Sequence, residues 1–158
     1  MSNRVLISME EGLESPAWLD KAEAFLYKIM ERLEIDGEEV SLLFCNDPFI
    51  QNLNKEYREI DAPTDVLSFE NGEEYQDEEG KWFSAGDIVL SLETLPKNAE
   101  YFEVSQNTEL KRLLIHGLLH INGYDHGEEH IEKGREPECE MLVLQEKILG
   151  EVADYQIL

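Results

Sequence analysis

The chain has 158 residues, with 13 lysines and arginines against 36 aspartates and glutamates, so its formal net charge is -23 at pH 7. This length predicts a single domain over residues 1–158, with a hydrophobic core that needs no covalent cross-links. The charge excludes an extensive basic surface of the kind that binds polyanions. Any nucleic-acid role therefore requires a local basic strip or a partner that supplies one.

The cysteines and the apolar segments predict a cellular compartment. Cys45 and Cys139 are the only cysteines and do not form a closely spaced pair, which is typical of a reducing compartment. The first ten residues lack the apolar stretch and cleavage-like site of a signal peptide, and no later apolar run approaches a bilayer-spanning length. We therefore expect a cytoplasmic protein without a membrane partner.

Hydrophobic periodicity predicts alternating strands and helices with no repeat and no long linker. Strands are predicted at residues 4–8, 40–45, 65–69 and 87–91. Helices are predicted from Ser15 to near Gly37, from Asp47 onward, around residues 97–102, from Ser105 or Asn107 through the histidine-rich segment, and at about 138–149.

An acidic segment separates the last two predicted strands. It contains Glu70, Glu73, Glu74, Asp77, Glu78 and Glu79, with glycines at positions 72 and 80. This composition predicts a solvated loop, without a tight hairpin.

Three of the chain's four histidines fall within eleven residues, at positions that suit metal binding. His116 and His120 are one helical turn apart, so both imidazoles lie on one face of a helix. Gly123 can end that helix in the left-handed conformation and bring His126 toward the same point. Three imidazoles around one ion leave a fourth position open, as in catalytic zinc sites. This spacing favours a site for one zinc ion over a helix that carries histidines by chance.

The residue after the first histidine distinguishes this pattern from that of the zinc peptidases. Their HExxHxxGxxH signature places a glutamate there as general base, whereas this chain has Gly117. Peptide hydrolysis is therefore less expected than attack on a more charged electrophile. Asp65, Asp87 and Asp125 are candidates to accept a hydrogen bond from a ligand imidazole, although each also suits an ordinary turn or cap.

Several segments together resemble the YbeY family of bacterial endoribonucleases and rRNA maturation factors. The HGLLH and GYDH runs of residues 116–126 are similar to the family signature. The segments at residues 53–69 and 86–91 are similar to its preceding motifs, so the resemblance covers about residues 40–149. Two segments depart from the family pattern, namely the longer acidic stretch after Phe69 and the extra residues 130–137.

The resemblance implies an α+β fold, with a mixed sheet of about four strands, about five helices and a metal site on a buried helix. It implies one zinc ion on His116, His120 and His126, with Arg58 and His116 as catalytic residues. The implied activity is zinc-dependent cleavage of single-stranded RNA in small-subunit rRNA processing and ribosome biogenesis. Ribosomal RNA is the implied partner and DNA is not expected, while the acidic composition also suits docking on ribosomal proteins.

The basic residues near these motifs predict how RNA approaches the site. Lys55, Arg58, Lys111 and Arg112 are candidates for the only positive strip beside the zinc. Water and the RNA 2′-hydroxyl both remain possible nucleophiles. Two other functions also remain open: a metallopeptidase-like hydrolase, and a non-catalytic assembly factor in which zinc only stabilises the fold. His130 is a candidate fourth ligand, but an open position suits the pattern better.

Overall fold

A computed structural model describes residues 3–127 and 129–158 of the chain. The elements in chain order are β1 (Arg4–Met9), α1 (Leu19–Arg32), β2 (Glu38–Cys45), α2 (Asp47–Arg58), β3 (Val66–Asp77), β4 (Gly80–Ser91), α3 (Thr94–Phe102), α4 (Gln106–Ile121) and α5 (Glu140–Glu151). Four strands and five helices confirm the predicted α+β class. No helix within these ranges is both long and apolar enough to cross a membrane.

The four strands form one mixed sheet in the order β1-β2-β4-β3. The strands β1, β2 and β4 run parallel, whereas β3 is antiparallel to β4. Parallel neighbours need a crossover connection, and α1 supplies the one between β1 and β2. The antiparallel β3 lies at one edge of the sheet.

The two faces of the sheet carry separate clusters of apolar side chains. Leu42, Phe44 and Ile88 belong to the main core with residues of α1, α4 and α5. Their strand neighbours Leu43 and Val89 belong to a smaller cluster with residues of α2. Because successive side chains in a strand point to opposite faces, α2 lies on the side of the sheet opposite to α4.

Helix α4 lies at the centre of the main core. It contacts β3, β4, α1, α3 and α5, and its apolar side chains are buried on most sides. This burial fixes the direction of the histidines that lie on the last turns of the helix.

The acidic segment is not a loop, so that prediction is wrong, as is the expectation that no tight hairpin forms there. Residues 66–77 and 80–91 form the long β3–β4 hairpin, with Tyr75 paired opposite Trp82. Such cross-strand aromatic pairs stabilise strands. The Arg4 guanidinium lies 4.1 Å from the Trp82 ring centre and contacts Asp77 at 2.8 Å and Glu79 at 2.6 Å. A cation from β1 therefore offsets acidic charges that suggested a solvated loop.

Candidate functional site

The turn after α4 brings the histidine-bearing segments together. Ser105 caps the start of the helix by accepting a hydrogen bond from the Thr108 amide at 3.0 Å. Gly123 has a φ of 92°, a conformation that few residues other than glycine adopt. The Tyr124 amide then donates to the Leu119 carbonyl at 3.1 Å, which closes the reversal. The turn therefore forms at the glycine, as its position in the sequence predicts.

The three imidazole rings cluster at this turn. Their ring centres are 5.9 Å apart for His116 and His120, 5.2 Å for His116 and His126, and 5.9 Å for His120 and His126. Three imidazole nitrogens bound to one zinc ion place their ring centres roughly 5 Å apart, given Zn–N distances near 2.0 Å. As the side chains stand, no group of three or more His, Cys, Asp or Glu residues within 3–127 and 129–158 is arranged to hold a metal ion. The cluster thus has the residues and ring spacing of a zinc site, but not its closed geometry.

Hydrogen bonds fix the orientation of each of two of the rings. The Nδ1 atom of His116 is 2.7 Å from Oε1 of Gln145, and the Nδ1 atom of His126 is 2.7 Å from the Glu129 carbonyl oxygen. The Gln145 amide nitrogen donates to Glu146 at 3.1 Å, which turns its oxygen toward His116. Because both partners are acceptors, each Nδ1 carries the proton and each Nε2 keeps a free lone pair. This donor set fits a zinc ion.

The aspartates suggested by the sequence have other partners in the structure. Asp65 lines the cleft and accepts hydrogen bonds from the Val66 amide and the Asn98 side chain, both at 2.7 Å. Asp125 accepts one from the Gly127 amide at 3.0 Å, which supports the turn that contains His126. Both carboxylates therefore shape loops at the site.

The expectation that Asp87 orients a ligand is wrong. It lies in β4 and lines a different groove, on the α2 side of the sheet. Its neighbour Ile88 points toward α4, and the alternation of side chains along the strand turns Asp87 away.

Sequence reasoning did not identify the two residues that orient the imidazoles. Gln145 is a polar residue on the buried face of α5, and that position was its only signal. Glu129 supplies its carbonyl oxygen, and its carboxylate accepts from the amides of Glu138 at 2.9 Å and Cys139 at 2.6 Å. These bonds hold the ends of the segment 129–139 together.

His130 lies on this segment, with its ring centre 5.4 Å from that of His126, and a fourth ligand there stays a prediction.

The histidines line a cleft of about 420 Å³ that also contains Arg58. Arg58 is the last residue of α2, and the Asn54 side chain donates to the Ala62 carbonyl at 2.9 Å, which holds the loop that follows. Among the residues that the structure describes, no carboxylate lies within ion-pair distance of Arg58. The other arginines, by contrast, are paired with carboxylates: Arg4, Arg32, Arg112 and Arg135. A free guanidinium in a cleft of so acidic a protein is available for a phosphate.

The other basic candidates differ in their availability. Lys55 is exposed, with its ammonium 4.0 Å from Asp61. Arg112 lines the cleft, but its charge is offset by Glu109 at 2.7 Å and Glu146 at 3.1 Å.

The expectation that Lys111 contacts RNA is wrong. It is buried, and its ammonium donates to the carbonyl oxygens of Val152, Ala153 and Tyr155 at 2.8, 3.2 and 2.9 Å. Successive helical residues point about 100° apart, so Arg112 faces the cleft while Lys111 faces the carboxyl-terminal segment.

Close packing at Gly117 explains why the peptidase glutamate has no counterpart here. A Cβ atom at this position would lie 2.8 Å from Cγ2 of Ile88, which is fully buried in β4. Any side chain would force α4 away from the sheet, at a cost of about 1–3 kcal/mol. The residue after His116 is therefore a packing position without room for a general base.

Glu109 is a buried carboxylate in the wall of the cleft. Burial raises its pKa to about 7, although the neighbouring Arg112 opposes this shift. The folded protein holds this proton more tightly than the unfolded chain does, so proton binding by Glu109 stabilises the fold. This stabilisation is fully present below about pH 4.5 and is lost as the pH rises through about 7.

We therefore compare the free energy of unfolding of Glu109→Gln with that of the wild type at two pH values. The variant minus wild-type difference is expected to be about 1–3 kcal/mol more favourable to the variant at pH 8 than at pH 5. Urea unfolding at both pH values measures this difference. Glu146→Gln, which removes the other carboxylate partner of Arg112, is the control for loss of an ion pair. If the wild type and Glu109→Gln keep the same stability difference at both pH values, Glu109 does not titrate in this range.

Comparison with known proteins identifies the family. The family model described as Endoribonuclease YbeY matches residues 7–153. The chain belongs to the YbeY endoribonuclease family. A relative named Endoribonuclease YbeY from Treponema denticola is 49% identical over 99% of this chain and 98% of its own length. A relative of the same name from Aquifex aeolicus is 36% identical, over 96% of this chain and 93% of its own.

A solved structure has a similar fold. The solution structure of a Thermotoga maritima protein matches with a TM-score of 0.59 and 28% identity, covering 96% of this chain and 89% of that one. The matching family model confirms the family resemblance inferred from the histidine signature and the two preceding motifs, and the observed strand order confirms the mixed four-stranded sheet.

Proposed function

We propose that this YbeY-family endoribonuclease uses one zinc ion to cleave single-stranded RNA during the maturation of small-subunit ribosomal RNA. The observation that carries the proposal is the cleft that contains His116, His120 and His126 together with Arg58, which has no ion-pair partner within residues 3–127 and 129–158. Family membership makes the protein a hydrolytic endoribonuclease. The histidine cluster and the free guanidinium support the cleft as the place where RNA is cut.

Each residue of the cleft has a chemical role in this proposal. The three histidines would hold zinc, His116 and His126 through Nε2, and the ion would supply Lewis-acid stabilisation of charge on a phosphoryl oxygen. Gln145 and the Glu129 carbonyl keep two of the rings turned for that task. Arg58 holds the phosphate through paired N–H donors and stabilises the negative charge that develops during cleavage.

The surface charge supports a further part of the proposal, concerning partners and location. A chain with a net charge of -23 attracts basic proteins at long range, and ribosomal proteins are basic partners of that kind. We include them as partners in ribosome biogenesis, in the cytoplasm. The free thiols of Cys45 and Cys139 are compatible with this reducing compartment.

A parallel assay of two substrate classes tests the enzyme class. We expect the zinc-loaded protein to cleave single-stranded RNA, to act much more slowly on duplex RNA, and to leave casein intact because Gly117 supplies no general base. The readouts are gel analysis of end-labelled RNA and peptide release from casein. Casein hydrolysis that disappears in His120→Ala would instead establish the metallopeptidase alternative.

A further inference from the structure

An exposed aromatic side chain lies in the same cleft as the histidines. Tyr101 is on the last turn of α3, and 60% of its surface is exposed. It lines the cleft together with Phe102, Arg58 and the three histidines. An exposed tyrosine is ordinary on a protein surface, but one beside a catalytic cleft offers a flat apolar face to a substrate.

Its neighbours hold the Tyr101 ring but leave it open. The Phe102 ring packs edge to face with it, with ring centres 4.9 Å apart and an interplanar angle of 86°. Phe102 in turn lies 5.1 Å from the Arg112 guanidinium, and Arg112 is anchored by Glu109 and Glu146. Tyr101 is therefore supported from one side by a fixed group, while it lines the cleft and most of its surface stays open to solvent.

The charge distribution of the cleft provides few phosphate contacts, so RNA binding needs a second source of affinity. Base stacking is such a source. Of the arginines in the cleft, Arg112 is engaged by Glu109 and Glu146, whereas no carboxylate in the described part of the chain pairs with Arg58. One free guanidinium gives little attraction to a polyanion, because affinity from phosphate contacts grows with the number of phosphates neutralised. Stacking of a base on an aromatic ring needs no charge and contributes a similar amount for every base.

We propose that Tyr101 is a stacking platform for a nucleobase of single-stranded RNA whose phosphate is held by Arg58. This inference rests on the proposed function of the cleft. It also accounts for a preference for single strands, because the bases of a duplex are already stacked on one another and cannot reach the ring.

Variants at Tyr101 test the platform through the KM of a short single-stranded RNA. Tyr101→Ala is expected to raise KM about tenfold or more with little change in kcat, whereas Tyr101→Phe, which keeps the ring, stays near the wild type. Tyr57→Ala is the matched control, since Tyr57 is 61% exposed but lines the groove on the α2 side of the sheet. A wild-type KM for Tyr101→Ala, or an equal loss in Tyr57→Ala, would overturn the proposal.

RNAs that lack a single base identify the partner of the ring. We expect one abasic position near the mapped cleavage site to raise the KM of the wild type about as much as Tyr101→Ala does, and to have no added effect in that variant. If every abasic position acts equally in both proteins, no stacking contact exists.

His116→Ala separates failure of this inference from failure of the proposed function. If His116→Ala loses cleavage while Tyr101→Ala behaves as the wild type, only the stacking platform is wrong. If His116→Ala cleaves RNA at the wild-type rate, the function proposed for the cleft is wrong as well.

Discussion

RNA cleavage by His116→Ala is expected to fall by about a thousandfold or more. The loss follows because zinc supplies several kcal/mol of charge stabilisation in phosphoryl chemistry, and each 1.36 kcal/mol corresponds to a factor of about ten in rate. Two imidazoles would not hold the ion in an open three-ligand site. The measurement is the single-turnover rate on end-labelled single-stranded RNA with added zinc.

A milder variant at the same place shows whether His116 acts as a ligand. Gln145→Ala removes the acceptor 2.7 Å from Nδ1 of His116 but keeps all three histidines. We expect zinc affinity to fall about 10- to 100-fold and excess zinc to restore cleavage. If excess zinc restored cleavage by His116→Ala as fully as it restores cleavage by Gln145→Ala, His116 would have a structural role and would not be a zinc ligand.

The Arg58→Ala variant is expected to cleave RNA about 100-fold or more slowly, with zinc content and melting temperature unchanged. Loss of a preorganised donor to a developing anion has an effect of this size. Stability should not change, because Arg58 is exposed and forms no ion pair with any residue in the described part of the chain. Single-turnover rates, metal analysis and thermal melting provide the three readouts.

Two further variants separate the geometry of the guanidinium from its charge. Arg58→Lys keeps the charge but loses the paired donors, so we expect it to recover only part of the rate. Lys55→Ala removes an exposed cation one turn earlier in the same helix and should cleave nearly as the wild type does. Cleavage by Arg58→Ala at the wild-type rate, or equal losses in both alanine variants, would remove Arg58 from the chemistry.

The geometry of the site was predictable where it depends on local spacing. His116 and His120 share a helix face because they are four residues apart, and Gly123 takes the positive φ that the turn requires. These features depend only on neighbours in sequence. The position of Arg58 was also predictable from the sequence, because Arg58 is the last residue of a helix and lies within one of the family motifs.

The parts that sequence reasoning missed depend on contacts between distant segments. Gln145 reaches His116 only because α5 packs against α4. Lys111 and Arg112 are adjacent, so the rotation of α4 within the core decides which of them faces the cleft, and composition alone does not indicate that rotation. The β3–β4 hairpin was missed because Arg4, from the first strand, offsets its acidic charges.

Metal analysis of the purified protein tests the central claim most directly. The wild type is expected to contain about one zinc ion per chain, and His116→Ala, His120→Ala and His126→Ala should each retain only a small fraction of it. Circular dichroism of the same samples establishes that the variants remain folded. If all three folded variants keep the full zinc content of the wild type, the metal is bound elsewhere and this account of the site is contradicted.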